Sequence, residues 1–159
     1  MENTSPKPRI LVDADSFPLE ARKFLQKAAR RLNLELIYYA NRKVDFEIDS
    51  PLFSMVLCAQ EKDAADDKIV EDSNSYDLTA TRDILLAKRL VEKGITVIND
   101  RGVCFTKDNL PKYLEQREES MLYSELGLTK SKGHSSYGKK ELHDFAACFD
   151  RIMTSLLPH

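Results

Sequence analysis

Acidic residues follow four apolar segments of this chain, each at the point where a strand is expected to end. They are Asp13, Asp15, Asp63, Asp66, Asp83 and Asp100. Carboxylates gathered in one pocket repel one another, and a hard divalent cation with oxygen ligands relieves that repulsion. Such an ion can hold a phosphate oxygen and activate a water molecule. The pattern therefore predicts a site for Mg²⁺ or Mn²⁺ that is suited to phosphodiester hydrolysis.

A purely structural role for these aspartates is the alternative interpretation. Aspartate is common after strands because its side chain caps the helix that follows. Asp83 and Asp108 could be caps and nothing more, and Asp67 could belong to a solvated helix face. Caps need not converge on one edge of a sheet, however, so the whole set favours a pocket.

The elements that must position these carboxylates alternate between strand and helix patterns. Strands are predicted at 9–12, 34–40, 53–59, 77–83 and 95–99, and helices at about 17–32, 63–72, 84–93, 108–126 and 142–156. The uniformly apolar segment 53–59 is typical of a parallel strand covered on both faces. Ser16 is the predicted cap of the first helix, and Thr106 or Asp108 that of the fourth.

This alternation predicts an α/β fold, namely a three-layer sandwich with a mainly parallel central sheet of about five strands. In such a sheet, ligands bind beyond the carboxyl ends of the strands. We expect a single domain over residues 9–157, preceded by a flexible tail at 1–8.

Composition and charge narrow the function classes. The chain has 159 residues and a net charge of −2, so binding to nucleic acid requires a local basic patch. Its three cysteines are scattered, which favours neither a disulfide framework nor a zinc site. No signal peptide and no apolar run of about 20 residues is present. We therefore expect a cytoplasmic protein that does not bind membranes.

Basic residues near the expected strand ends are candidates for contacts with nucleic acid. Arg42 and Lys43 follow the second strand, and Arg82 and Arg101 stand beside aspartates. A lysine-rich loop before the last helix adds Lys130, Lys132, Lys139 and Lys140. These side chains would offset phosphate charge outside the metal pocket.

Five segments resemble the YaiI/YqxD family in order and spacing over residues 9–157. They are VDADSFP, AN at 40–41, DAADDKIVE, DLTATRDILLAKRLVEKG and INDRG. This bacterial family looks like PIN-domain proteins, which implies a central parallel sheet between helices. It also implies a nuclease that depends on Mg²⁺ or Mn²⁺ and acts on nucleic acid, RNA before DNA. Carried over by position, the catalytic acids fall on Asp13, Asp66 and Asp83, with Asp15, Asp63 and Asp100 as further metal ligands.

Two other functions remain open from the sequence. ILVDADSF resembles the D-x-D motif of haloacid dehalogenase-type phosphatases, although Phe17 stands where that motif usually has Thr or Val. A non-catalytic RNA-binding or regulatory module with an acidic pocket is the other. A phosphatase would form a phospho-aspartate at Asp13, whereas a binding module would hold oligonucleotide without cleaving it.

Overall fold

A six-stranded sheet lies at the centre of the computed structural model, which describes residues 6–128 and 136–158. Its strands are β1 (Ile10–Asp13), β2 (Leu36–Ala40), β3 (Phe53–Leu57), β4 (Leu78–Ala80), β5 (Thr96–Ile98) and β6 (Cys104–Phe105). Their order across the sheet is β3-β2-β1-β4-β5-β6. Neighbours run parallel except for β5 and β6, which pair antiparallel. The mainly parallel sheet is therefore confirmed.

Helices cover both faces of this sheet. They are α1 (Leu19–Leu32), α2 (Ala64–Asp72), α3 (Ile84–Lys93), α4 (Leu110–Glu125) and α5 (Lys139–Leu156). Successive side chains of a strand point to opposite faces. Ile10 and Val12 accordingly pack with α1 and α5, whereas Leu11 packs with α2, α3 and the start of α4. The predicted three-layer sandwich is confirmed, and none of the described helices is long and apolar enough to cross a membrane.

The two ends of the sheet differ from the prediction. β3 is an edge strand with a single neighbour, and the expectation that both of its faces are covered is met only in part. Phe53 and Met55 pack against the core on one face of the sheet and Val56 against the core on the other. By contrast, Ser54 is exposed and Leu57 is 66% exposed. The strand β6 was not predicted. It has only two residues, too few for a periodic pattern to show.

The predicted cap of α1 is wrong, whereas Thr106 bonds as a cap before α4. Asn109 directly precedes α4, but Thr106 Oγ1 accepts from the N–H of Asn109 and its backbone carbonyl accepts from the first residue of the helix, while Asn109 Oδ1 accepts from the N–H of Thr106. Asp108 is exposed. The residue before α1 is Pro18, which makes no side-chain cap, and Ser16 instead lies near Asp13. Ser16 is therefore available to the carboxyl edge of the sheet instead of to a helix.

The order of strands creates a crevice between β1 and β4. From β1 the chain proceeds to β2 on one side, whereas β4 is followed by β5 on the other side. The crossovers leave the sheet in opposite directions at this point, which is where ligands bind in open parallel sheets. At the amino ends of the same two strands, Arg9 and Asp77 form an ion pair of 2.7 Å.

Candidate active site

A cleft of about 440 Å³ opens at the carboxyl ends of β1 and β4. It is lined by Asp13, Asp15, Ser16, Asn41, Glu61, Asp63, Ala64, Ala65, Asp66, Arg82 and Asp83. Five of the six predicted carboxylates are in this set, and Asp100 is the one outside it. The strand order thus brings together acids that are as far apart in the sequence as Asp13 and Asp83.

Asp13, the last residue of β1, is the most buried carboxylate of the cleft, at 7% exposed. Its Oδ2 accepts hydrogen bonds from Thr81 Oγ1 at 2.9 Å and from Ser16 Oγ at 3.4 Å. Burial raises the pKa of Asp13, and the hydrogen bond from Thr81 opposes that rise. Asp13 is therefore costly to ionise, and the two hydroxyls hold it in place.

Asp66 lies in the first turn of α2, one turn after Asp63. Burial raises the pKa of Asp66 to about 7, and the negative charges of Asp83 and Asp13 add to the rise. Asp63 precedes α2 with a left-handed backbone, at a φ of 65°. At neutral pH this group of carboxylates therefore shares a proton, or requires a cation in its place.

Asp83 is both a helix cap and a carboxylate of the cleft, the two roles that the sequence analysis treats as alternatives. It is the N-cap of α3, with Oδ1 accepting from the backbone N–H of Leu85 at 2.9 Å and of Leu86 at 3.3 Å. The same carboxylate lines the cleft beside Asp66. Its own N–H donates to Thr81 Oγ1 at 3.0 Å. Capping therefore fixes the direction of Asp83 without removing it from the site.

Asp15 connects the ends of β1 and β2. Its Oδ2 accepts from the N–H of Asn41 at 2.9 Å, and Arg42 Nε lies 3.6 Å from its Oδ1. That Oδ1 is buried and has no hydrogen-bond partner. An oxygen of this kind, beside several other carboxylates, is the type of donor that a hard cation takes up.

Carboxylates are thus the right donors for Mg²⁺ or Mn²⁺, and the cleft has room for the waters that these ions retain. Within residues 6–128 and 136–158, no three acidic, histidine or cysteine side chains are already arranged as a complete ligand set. Asp13, Asp66 and Asp83 therefore supply donors of the right chemistry, but they are not grouped as a ligand set in this structure.

The predicted basic residues differ in how close they lie to the cleft. Arg82 lines the cleft, and Arg42, 73% exposed, reaches its edge through Asp15. Lys43 pairs with Asp45, and Lys140 pairs with Asp144 on α5, both away from the lining. Two further cations are the exposed Arg101 and Lys139 at the start of α5, whereas Lys130 and Lys132 lie outside the described residues.

Asp100 is almost fully buried, at 3% exposed, and its Oδ2 lies 3.5 Å from Nε of Arg82. It follows β5, so it stands one strand further from β1 than Asp83 does. The structure therefore brings Asp100 to Arg82 and not to the other carboxylates.

Sequence reasoning missed three contributors to the site. Thr81 holds Asp13, Asn41 holds Asp15, and the hydroxyl of Ser16 bonds Asp13 instead of a helix end. A signal was available for Thr81, because a polar residue that ends an otherwise buried strand needs a hydrogen-bond partner at that edge.

Comparison with known proteins gives one consistent result. A family model described as "Uncharacterized BCR, YaiI/YqxD family" matches residues 11–155. A "UPF0178 protein" of Treponema denticola is 42% identical over 149 residues, which cover 94% of this chain and 94% of that protein. Proteins of the same name from Trichlorobacter lovleyi and Treponema pallidum are 32% and 36% identical over 148 residues, covering 93% of this chain and 95% and 82% of theirs. No solved structure matches the chain significantly.

Proposed function

This chain belongs to the YaiI/YqxD family, and we propose that it hydrolyses phosphodiester bonds of nucleic acid, RNA before DNA, with Mg²⁺ or Mn²⁺ in the acidic cleft. One observation carries the proposal. Asp13, Asp66 and Asp83 line a single cleft at the crevice between β1 and β4, and the pKa of Asp66 is raised to about 7 there. Such crowding of carboxylates has a large electrostatic cost, which a divalent cation offsets.

The cleft residues have different roles in this proposal. Asp13, Asp66 and Asp83 would hold the cation, with Asp15 and Asp63 in support. When bound, the ion supplies Lewis-acid stabilisation of a phosphate oxygen and makes a bound water more acidic. Thr81 and Ser16 hold Asp13, and the helix cap holds Asp83, so two of the three proposed ligands have defined positions at the cleft.

The acid–base step uses the same carboxylates. The raised pKa of Asp66 belongs to the cleft without a cation, and a bound ion would displace that proton and leave Asp66 as a ligand. No separate general base is then required, and one of the supporting carboxylates would orient the water. Among residues 6–128 and 136–158, no histidine or cysteine lines the cleft, and in this proposal the carboxylates and water transfer the proton. This donor set suits attack of water on phosphorus and is a poor match for acyl transfer, which needs an activated nucleophile.

The test is cleavage of labelled single-stranded RNA and DNA in Mn²⁺, in Mg²⁺ and in chelator. Asp13→Asn is purified in parallel, with Asp108→Asn as the matched control. Asp108 is exposed and lies away from the cleft, so its variant makes the same chemical change without touching the site. We expect cleavage that requires metal, persists in Asp108→Asn and falls by about 10²-fold or more in Asp13→Asn.

Three results would contradict the proposal. Cleavage that persists in Asp13→Asn would come from a contaminant or from another site. Binding of oligonucleotide with no cleavage in either metal would favour the binding-module interpretation, and a phospho-aspartate at Asp13 would favour the phosphatase.

A further inference from the structure

Arg82 is held at the cleft by two contacts. Its Nε lies 3.5 Å from Oδ2 of Asp100, and one of its terminal nitrogens donates to the carbonyl oxygen of Ser16 at 3.3 Å. Its side chain is nevertheless 50% exposed. The guanidinium therefore has a defined position and still faces solvent beside the carboxylates.

Asp100 is itself held firmly by its surroundings. Asn99 Oδ1 accepts from the N–H groups of Arg101 and Val103, each at 2.9 Å, which fixes the turn between β5 and β6. The hydroxyl of Tyr137 donates to the backbone carbonyl of Asp100 at 2.7 Å. A buried carboxylate on a fixed turn, paired with a half-exposed arginine, is the arrangement expected of a support for that arginine.

The charges of the cleft explain why such a support is useful. Asp13, Asp15, Asp63, Asp66 and Asp83 repel a polyanion, so a substrate needs a cation close to them. Arg82 lines the same cleft as these residues, and a guanidinium can bind a phosphate through two parallel hydrogen bonds. An unsupported arginine would instead bind to the nearest carboxylate.

We propose that Asp100 is a positioning residue which holds Arg82 so that its guanidinium binds a backbone phosphate of single-stranded nucleic acid beside the acidic cleft. This inference rests on the proposed function and deepens it. It assigns to Asp100 a role different from that of metal ligand, and to Arg82 a phosphate subsite adjacent to the phosphodiester that is cleaved.

The proposal can be tested by binding alone, because charge and support predict opposite changes in the affinity for nucleic acid when Asp100 is removed. Removing a carboxylate beside a polyanion would, on charge alone, strengthen binding. If Asp100 supports Arg82, its removal weakens binding. The measurement is the anisotropy of a short fluorescein-labelled oligouridine in chelator, over a series of salt concentrations, with Arg82→Ala, Arg82→Lys, Asp100→Asn, Asp100→Ala and the double variant Arg82→Ala/Asp100→Ala.

We expect Arg82→Ala to weaken binding about tenfold and to reduce the slope of log K against log salt by roughly 0.7. Asp100→Ala should reproduce most of both effects, and Asp100→Asn, which keeps one acceptor oxygen, should reproduce part of them. Arg82→Lys should retain the slope and lose part of the affinity, because it keeps the charge without the fork. In the double variant, Asp100→Ala should cause no further weakening.

A second measurement distinguishes a metal ligand from a positioning residue. The affinity for Mn²⁺ is obtained from the rise of the unfolding temperature with Mn²⁺ concentration. It should be the same for Asp100→Asn as for the unaltered chain. Weaker Mn²⁺ binding in Asp100→Asn, stronger oligouridine binding in Asp100→Ala, or an unchanged salt slope in Arg82→Ala would each overturn the proposal.

A failure of the proposed hydrolysis can be distinguished from a failure of the proposed phosphate subsite. If the chain binds oligouridine through Arg82 but does not cleave RNA in Mn²⁺, hydrolysis is wrong and the phosphate subsite stands. If the chain cleaves RNA and the Asp100 variants bind as the unaltered chain does, the subsite is wrong and hydrolysis stands. The absence of oligouridine binding in the unaltered chain overturns the subsite.

Discussion

The hydroxyl of Thr81 lies 2.9 Å from Oδ2 of Asp13 and donates a hydrogen bond to it across the crevice between β1 and β4. Thr81 is fully buried, and its oxygen also accepts from the N–H of Asp83. One hydroxyl group therefore connects two of the three proposed metal ligands. The mutual arrangement of these carboxylates is set by the sheet and not by flexible loops.

Replacing Thr81 with Val should destabilise the fold, and more so at high pH. The change removes the donor that favours ionised Asp13, so the pKa of Asp13 should rise further. The folded state then holds the proton of Asp13 to higher pH, and ionisation above that pKa costs more. We expect a loss of about 1–3 kcal/mol in the free energy of unfolding near pH 8, with a smaller loss near pH 4. Urea unfolding at both pH values measures it.

Thr79 provides a matched control for this experiment. It lies in β4, two residues before Thr81, and is equally buried, but its Oγ1 has no hydrogen-bond partner. Thr79→Val removes an unsatisfied hydroxyl and should leave the stability unchanged or raise it. Equal losses for the two variants would show that volume or strand preference, and not the bond to Asp13, sets the cost.

Replacing Asp66 with Asn should stabilise the protein at neutral and higher pH in the absence of metal. The pKa of Asp66 is about 7 in the folded chain and close to 4 in the unfolded chain. Between these values the folded state holds an extra proton, so stability falls as pH rises. Asn is neutral throughout. We expect a gain of about 1–2 kcal/mol near pH 8, after allowance for solvent screening, and little change near pH 4.

Urea unfolding in chelator at the two pH values gives this result directly. Asp67→Asn is the control, because Asp67 is the next residue of α2 but is exposed and pairs with Arg89 at 2.8 Å. That variant should gain nothing at either pH. A pH-independent effect of Asp66→Asn would contradict the crowding of charge that the proposed metal site requires.

Replacing Gly102 with Ala should destabilise the turn that carries Asp100. Gly102 has a φ of +84°, and an added Cβ would lie 2.5 Å from the backbone carbonyl oxygen of Asp144 on α5. Both the backbone conformation and the contact are unfavourable for alanine. We expect a loss of about 2 kcal/mol or more in the free energy of unfolding, measured in urea.

Gly127→Ala separates the two causes. Gly127 has a φ of +71°, but nothing lies within 4 Å of its added Cβ. Its substitution should cost only about 1 kcal/mol, which is the conformational part. If Gly102→Ala costs no more than Gly127→Ala, the close approach between the turn and α5 is not maintained in solution.

The sequence predicted the sheet edge well because the evidence there is local. The apolar run before Asp13 and the helix cap at Asp83 are both visible in short segments, and the carboxyl ends of parallel strands share an edge. Asn33 likewise ends α1 in a left-handed conformation, which its residue type favours at the end of a helix.

The features that could not be predicted from the sequence depend on which strands become neighbours in the sheet. β3 has the composition of an interior strand but lies at an edge, because the sheet order places β2 and not β3 beside β1. Asp100 follows an apolar strand as Asp13 does, yet it pairs with Arg82, since β5 lies one strand further away. Residue type and spacing cannot distinguish these outcomes, because the strand order is a property of the whole fold.

The separation of 68 residues between Asp13 and Thr81 has a consequence for the order of events during synthesis. β1 leaves the ribosome early, but its acidic end acquires its partner only after β4 has emerged, several seconds later at roughly 5–20 residues per second. By then every carboxylate of the cleft has been made, whereas Phe145 and Phe149 of α5, which pack against Phe24 of α1, have not. A nascent chain therefore carries the full set of cleft charges while α5, one of the two helices that cover this face of the sheet, is still missing.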